Sequence, residues 1–266
     1  MAEEKFSIWA YSPSIPAAAI FAVLFAGTTG FHGFQAFKKR SLFFIPFIIG
    51  GIFEAVGYVG RIIAHNNQTS IGIYIMQTLL LLVAPALYAA SVYMTLGRIM
   101  LHTRGEHLSP IKRTLLTKIF VIGDVFSFLV QSGGGGLMAQ EKSQNLGKNI
   151  VLIGLVLQIL FFGLFIVTSL LFHVRLQKNP TAQSVDAPWK KYMFSLYFAS
   201  ILILIRSLFR VAEFQGGHDG PLMKKEVYLY IFDSVLMLGV SVVFNVVHPG
   251  NLIGSRKVMQ DSMPLA

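Results

Sequence analysis

Glu54 and Arg61 in FEAVGYVGR, Asp124 and Gln131 in GDVFSFLVQSGGGG, Arg206, Arg210 and Glu213 in RSLFRVAEFQGG, and Glu226, Tyr230 and Asp233 in EVYLYIFD are polar residues set into apolar runs. Glu54 to Arg61 and Asp124 to Gln131 are each i, i+7, and the other two sets fall at i, i+4, i+7. On a helix these offsets share one face. Each run therefore carries one polar stripe, the pattern of membrane helices turned inward toward one another. Charges inside a membrane are costly and are functional candidates by default. Five acids (Glu54, Asp124, Glu213, Glu226, Asp233) face three stripe arginines, so pairing leaves two negative charges over. Two roles follow. Ion pairs can lock helix register, with polar pairs in membranes contributing ~1–2 kcal/mol or less each. Unpaired carboxylates can hold a proton or attract a cation. Arg206 or Arg210 is expected to pair with Glu54, Glu213 or Asp233, and Glu54 and Asp233 are the acids expected to meet a ligand's ammonium group. Glu226, in the first turn of its helix, also suits the helix dipole.

The elements that carry these stripes are long and apolar. The 266 residues are 54% hydrophobic and only 13% charged, against about 25% charged in soluble domains. The solvent of most of the chain is lipid. A spanning helix needs roughly 17–25 mostly apolar residues. Seven stretches qualify, at about 16–37, 42–64, 71–99, 116–138, 148–172, 192–214 and 227–247. The expected fold class is all-α, one seven-helix membrane domain over 1–266 with short connections. Pro85 is expected to kink the third helix. Gly57 and Gly60 are expected to let a neighbouring helix approach closely, and the run Gly133–Gly136 to end the fourth. His248-Pro249-Gly250 is expected to end the seventh, with His248 at its inner end.

The basic residues give an orientation. Alternate connections and the tail carry 14 Lys and Arg, while the other side carries 5. The basic side is therefore expected to be cytoplasmic, with the N-terminus outside. Asn67, in the acceptor pattern NQT, then falls outside as a glycosylation candidate. Several chemistries are excluded. Without Cys there is no disulfide, thiolate metal site or Cys nucleophile. No HExxH or HxxxH spacing points to a metal, and no Walker motif to nucleotide-driven pumping. No nucleic acid partner or cofactor is expected.

The strings FEAVGYVGR, LLVAPALYAASVYMTLGR, FVIGDVFSFLVQSGGGG, IGLVLQILFFGLF, LIRSLFRVAEFQGG, EVYLYIFD and FNVVHPG closely resemble the fungal lipid-translocating exporter family, the RTA-like proteins. The resemblance covers about residues 20–250. It implies a seven-helix integral membrane protein associated with resistance to toxic amphiphiles such as aminosterols. It also implies export or translocation of sphingoid long-chain bases and, in one branch, porphyrin traffic. The family's motif residues map onto Glu54, Arg61, Asp124, Gln131, Arg206, Arg210, Glu213, Glu226, Asp233 and His248.

The expected function is binding and translocation of an amphiphilic lipid through an intramembrane polar cavity, in the plasma membrane. A seven-helix lipid receptor is the main alternative, although LGRIM replaces a DRY-like triplet and the seventh helix lacks both NPxxY and a Lys for retinal. An intramembrane hydrolase built on Ser127, three residues after Asp124, is a weaker one, because no base is identifiable. The charge asymmetry makes a direct prediction: site-specific labelling of intact cells should leave Lys38–Arg40 unreactive from outside and reach the N-terminus. Labelling of Lys38–Arg40 at the outer face would reverse the orientation.

Overall fold

In a computed structural model, the described residues are 13–67, 70–138, 143–186, 188–216 and 225–251. Seven helices are each long and apolar enough to cross a membrane. They are α1 (Ile15–Lys38), α2 (Ile45–Asn66), α3 (Ile71–His102), α4 (Arg113–Met138), α5 (Gln144–Lys178), α6 (Trp189–Gly216) and α7 (Glu226–Val246). No strand occurs among the described residues. The chain is an integral, multi-pass membrane protein.

Local sequence sets several helix ends. Pro stands in the first positions of α1 and α2, where a missing N–H costs nothing. Arg40 and Arg104 close α1 and α3 at φ 50°. The next amide in each case reaches back, Ser41 N–H to Ala36 O at 3.0 Å and Gly105 N–H to Met100 O at 3.1 Å. These are Schellman closures, and an arginine there also complements the negative helix end. Both lie at the basic end of the bundle.

α1 packs on α2, α2 on α3, α3 on α4, α4 on α5, α5 on α6, and α7 closes against α6 and α1. α3 also touches α6 and so runs through the interior. The outer helices keep an apolar face to lipid. On α4, Ile122, Phe126 and Leu129 are exposed while Asp124, Ser127 and Gln131 on the other face are buried. Polar stripes inward and apolar stripes outward is the arrangement that hydrocarbon demands.

Glycines fix how closely the helices approach. A Cβ on Gly57 would stand 2.7 Å from the Leu81 side chain of α3, as expected of a helix-contact glycine. The run Gly133–Gly136 does not end α4, which continues to Met138. The reason is packing. A Cβ on Gly134 would lie 2.7 Å from both Gly147 O and Val151 N, so α4 and α5 meet backbone to backbone. Contact of this kind offsets the helix-interior cost of glycine, about 1 kcal/mol relative to Ala. Gly133 meets nothing within 4 Å. Gly134→Ala should therefore lower the melting temperature of the detergent-purified protein, with a loss of about 1–3 kcal/mol typical of overpacking. Gly133→Ala should leave it unchanged or raise it.

Candidate functional site

The interior polar network begins at a proline. Pro85 lies within α3 and has no N–H to give the carbonyl one turn back, that of Leu81. Arg206 of α6 takes that carbonyl, its Nη2 donating to Leu81 O at 3.0 Å, while its Nε donates to Asp233 Oδ1 of α7. One buried guanidinium thus joins three helices. Arg210, one turn further, donates through Nη2 to Asp233 Oδ2 at 2.6 Å and through Nη1 to Glu213 Oε2 at 2.8 Å. Arg206 or Arg210 is expected to pair across the bundle with Glu54, Glu213 or Asp233: both take Asp233, Arg210 also takes Glu213 of its own helix, and neither bonds Glu54 among the described residues.

Asp233 sits in a π-helical stretch, Tyr230–Val235, inside α7. The wider turn sends consecutive side chains to different neighbours. Asp233 meets α6, and the Ser234 hydroxyl hydrogen-bonds Tyr58 of α2. Single π turns recur at functional sites. Nearer the non-basic end, Arg61 Nη2 donates to Glu226 Oε1 at 2.8 Å, and Tyr230 Oη donates to the same oxygen at 2.9 Å. The Ser14 amide reaches Glu226 Oε2 at 2.9 Å. Glu226 also opens α7, so its dipole role and its pairing role coincide.

Glu54 differs from these acids. It is 1% exposed, makes no hydrogen bond among the described residues, and its Oε1 is buried without a partner. Arg206, Arg210 and Asp233 all act on it electrostatically. Tyr58, one turn along α2, belongs to an aromatic group with Phe21 and Phe25 of α1 and Tyr230 of α7. Phe21 stacks on Tyr230 at 5.3 Å and Phe25 on Tyr58 at 5.6 Å between centroids. A buried carboxylate beside aromatic faces is a chemistry suited to a cation.

The remaining expected residues stand apart from this centre. Asp124 accepts from Tyr93 Oη at 2.8 Å and keeps Oδ1 unpartnered. Gln131 donates to Gln158 of α5 at 3.1 Å. Ser127 donates to Gly123 O of its own helix at 2.8 Å, not to a base. His248 lies just past α7 at the basic end, fully buried, its Nδ1 accepting from Gly250 N–H at 3.0 Å. Burial, with Lys39 and His32 alongside, holds its imidazole down to about 3. Asn67 is exposed at the end of α2, and the other residues of its triplet, Gln68 and Thr69, lie outside the described residues. No group of three metal-ligating side chains occurs among the described residues. Two surface recesses, one lined by Gln177 and Trp189 and one by Arg104 and Arg113, are formed by loop and helix-end residues at the basic end, not by the interior network.

Sequence reasoning missed Tyr58, Tyr88, Ser234 and Ser241, whose hydroxyls pair across helices, Tyr58 of α2 with Ser234 of α7 and Tyr88 of α3 with Ser241 of α7. A signal existed for Tyr58, which is four residues after Glu54 on the same stripe. For the others only their hydroxyls in apolar runs could have pointed to them.

Comparison with known proteins agrees with this architecture. The family described as RTA1 like protein matches residues 47–256. Protein RTA1 of Saccharomyces cerevisiae is 38% identical, covering 99% of this chain and 90% of that protein. Protoporphyrin uptake protein 1 of the same yeast is 41% identical over 76% of this chain and 67% of its own length. Sphingoid long-chain base transporter RSB1, also from S. cerevisiae, is 24% identical over 82% of this chain and 67% of its own length. No solved structure matches. The stripe residues that build the interior network fall within the matched region, except where α1 contributes its aromatic rings, and the chain belongs to the family of RTA1-like proteins.

Proposed function

We propose that this protein binds cationic amphiphiles, of the class of sphingoid long-chain bases and aminosterols, at Glu54 and carries them across the bilayer. The observation that carries the reading is the buried Glu54 Oε1, which has no partner among the described residues inside the network. The immediate cluster holds Glu54, Glu213 and Asp233 against Arg206 and Arg210, three acids against two cations. Asp233 is occupied by both guanidinium groups, so the surplus negative charge belongs to Glu54. A ligand ammonium would neutralise it in a low-dielectric setting where the attraction is strong. The rings of Phe21, Phe25, Tyr58 and Tyr230 would flank its first carbons. The names of relatives support the transport of lipids or small molecules in general. A porphyrin brings carboxylates of its own, which the surplus charge disfavours. Orientation with the Arg61–Glu226 end outward, in the plasma membrane, completes the proposal.

Glu54 is closed off in this conformation, so loading requires helices to part. The π stretch of α7 and Pro85 of α3 flank the site and are the places where backbone hydrogen bonding is already interrupted.

Binding of sphinganine and of its uncharged N-acetyl derivative to purified variants tests the assignment. Glu54→Gln should weaken sphinganine at least about tenfold, a loss of ~1.4 kcal/mol, and leave the uncharged analogue nearly unchanged at an equal melting temperature. Asp233→Asn should instead lower the melting temperature, since breaking a buried pair costs about 3–5 kcal/mol. Equal loss of both ligands in Glu54→Gln discards the ammonium site.

A further inference from the structure

The charge count at Glu54 has a consequence for energetics. With all five groups ionised the cluster carries one net negative charge, from three acids and two arginines. An uncompensated buried charge is not sustained in a medium of low dielectric. When no ammonium is bound, the cation available to Glu54 is a proton. The groups facing Glu54 are Asp233 of α7, Arg206 and Arg210 of α6, Tyr58 of its own helix and Tyr88 of α3. None of them donates a hydrogen bond to its buried Oε1.

A second observation supplies a route. From Glu54 toward the basic end, polar groups continue along the α1–α3–α7 interior. Tyr88 Oη lies 3.0 Å from Ser241 Oγ, and the Ser241 carbonyl accepts from His32 Nε2 at 3.0 Å. That bond fixes the proton of neutral His32 on Nε2 and leaves Nδ1 as an acceptor. His248 is fixed the opposite way, because its Nδ1 accepts from Gly250 and its Nε2 carries the proton. The two rings are 6.1 Å apart between centroids. An acceptor nitrogen and a donor nitrogen thus stand at neighbouring rings, both buried and without protein partners. Thr29 Oγ1, Gln35 Oε1, Ser41 Oγ and Asn245 Oδ1 are buried and unpartnered in the same region. Buried polar groups of this kind are satisfied by ordered water, which would complete a relay to the Lys38–Arg40 end. His248 as arranged is not a metal ligand, since Nε2 carries its proton.

We propose that Glu54 is a shared site for one proton and one cationic amphiphile, with the proton exchanging toward the basic end through the Tyr88 and Ser241 hydroxyls and through ordered water held by His32 Nδ1 and His248 Nε2, the Ser241 carbonyl serving only to orient the His32 ring. The inference rests on the ammonium reading of Glu54. Its step is balanced: the ammonium enters, the protonated Glu54 carboxyl releases its proton, and carboxylate and ammonium pair. Occupancy by one cation excludes the other, so a proton gradient drives the amphiphile without nucleotide hydrolysis.

Calorimetric titration of the purified full-length protein with sphinganine, in phosphate and in Tris at a pH where the amine stays protonated, counts the protons released. One proton per sphinganine is expected, with affinity rising about tenfold per pH unit while Glu54 is protonated. Infrared difference spectra should show a protonated-carboxyl band lost on binding and missing from Glu54→Gln. In proteoliposomes, His32→Phe should keep the one-proton release and slow pH-driven sphinganine uptake about tenfold. Should that variant not fold, Tyr88→Phe, which deletes one hydroxyl, makes the same comparison. Selective sphinganine binding with no proton release overturns the exchange and leaves the ammonium site standing. Loss of the selectivity itself removes both. Unchanged uptake in the relay variants overturns the route.

Discussion

The Arg206 guanidinium is the point on which the interior depends. It is almost fully buried and bonds at once to Asp233 of α7 and to the Leu81 carbonyl of α3. Its presence on α6 and the absence of an N–H at Pro85 are two halves of one solution. A proline in a membrane helix leaves a carbonyl that lipid cannot satisfy, and an arginine in a membrane helix has donors that lipid cannot satisfy. Each removes the cost of the other. The result fixes the rotation of three helices about their axes, because none can turn without breaking a bond in a medium that offers no replacement.

Once that frame is set, the remaining charges sort by whether the frame can reach them. Arg210 extends the frame to Glu213, and Arg61 ties Glu226 and Tyr230 at the far end. Among the described residues Asp124 has only the Tyr93 hydroxyl, and Glu54 Oε1 has no hydrogen-bond partner. These are the two negative charges that stripe composition leaves over. Their settings differ. Asp124 lies against a phenol on the α3–α4 side, away from any ion pair among the described residues. Glu54 lies beside the ion pairs and the aromatic rings, where a cation entering between helices would be held by charge and by π-faces together.

The architecture joins its helices in two ways, through backbone and through side chains. α4 and α5 are joined backbone to backbone at Gly134 and Gly147, and hydroxyls on these helices bond within their own helix, as Ser127 and Ser169 do. Around Glu54 the contacts are mixed: a Cβ on Gly50 of α2 would stand 2.9 Å from Ala84 O of α3, whereas α2 meets α7 through the Tyr58–Ser234 pair and α7 runs through a π stretch. Bonds between side-chain tips can be exchanged one at a time, whereas a backbone contact must open as a unit.

The sequence by itself determined the seven helices, since a bilayer of fixed thickness accepts only long apolar runs and a helix repeats every 3.6 residues. Helix ends differed by a few residues, and α5 runs from Gln144 to Lys178, because polar residues extend a helix into the interface without registering as apolar. The stripes were legible for the same reason of periodicity, and so was the pairing of Arg206 and Arg210 with acids. Tertiary structure alone decided which acid each arginine took, because periodicity gives a face and not the neighbour opposite it. It assigned Asp233 to two guanidiniums and left Glu54 with none. It kept α4 helical through Gly133–Gly136, where local propensity argues for an end, because the close approach of α5 outweighs that propensity. It also paired Tyr58 with Ser234 and Tyr88 with Ser241 in the interior. A hydroxyl in an apolar run is compatible with bonding its own helix or a neighbour, and only the packing of the neighbours decides between them.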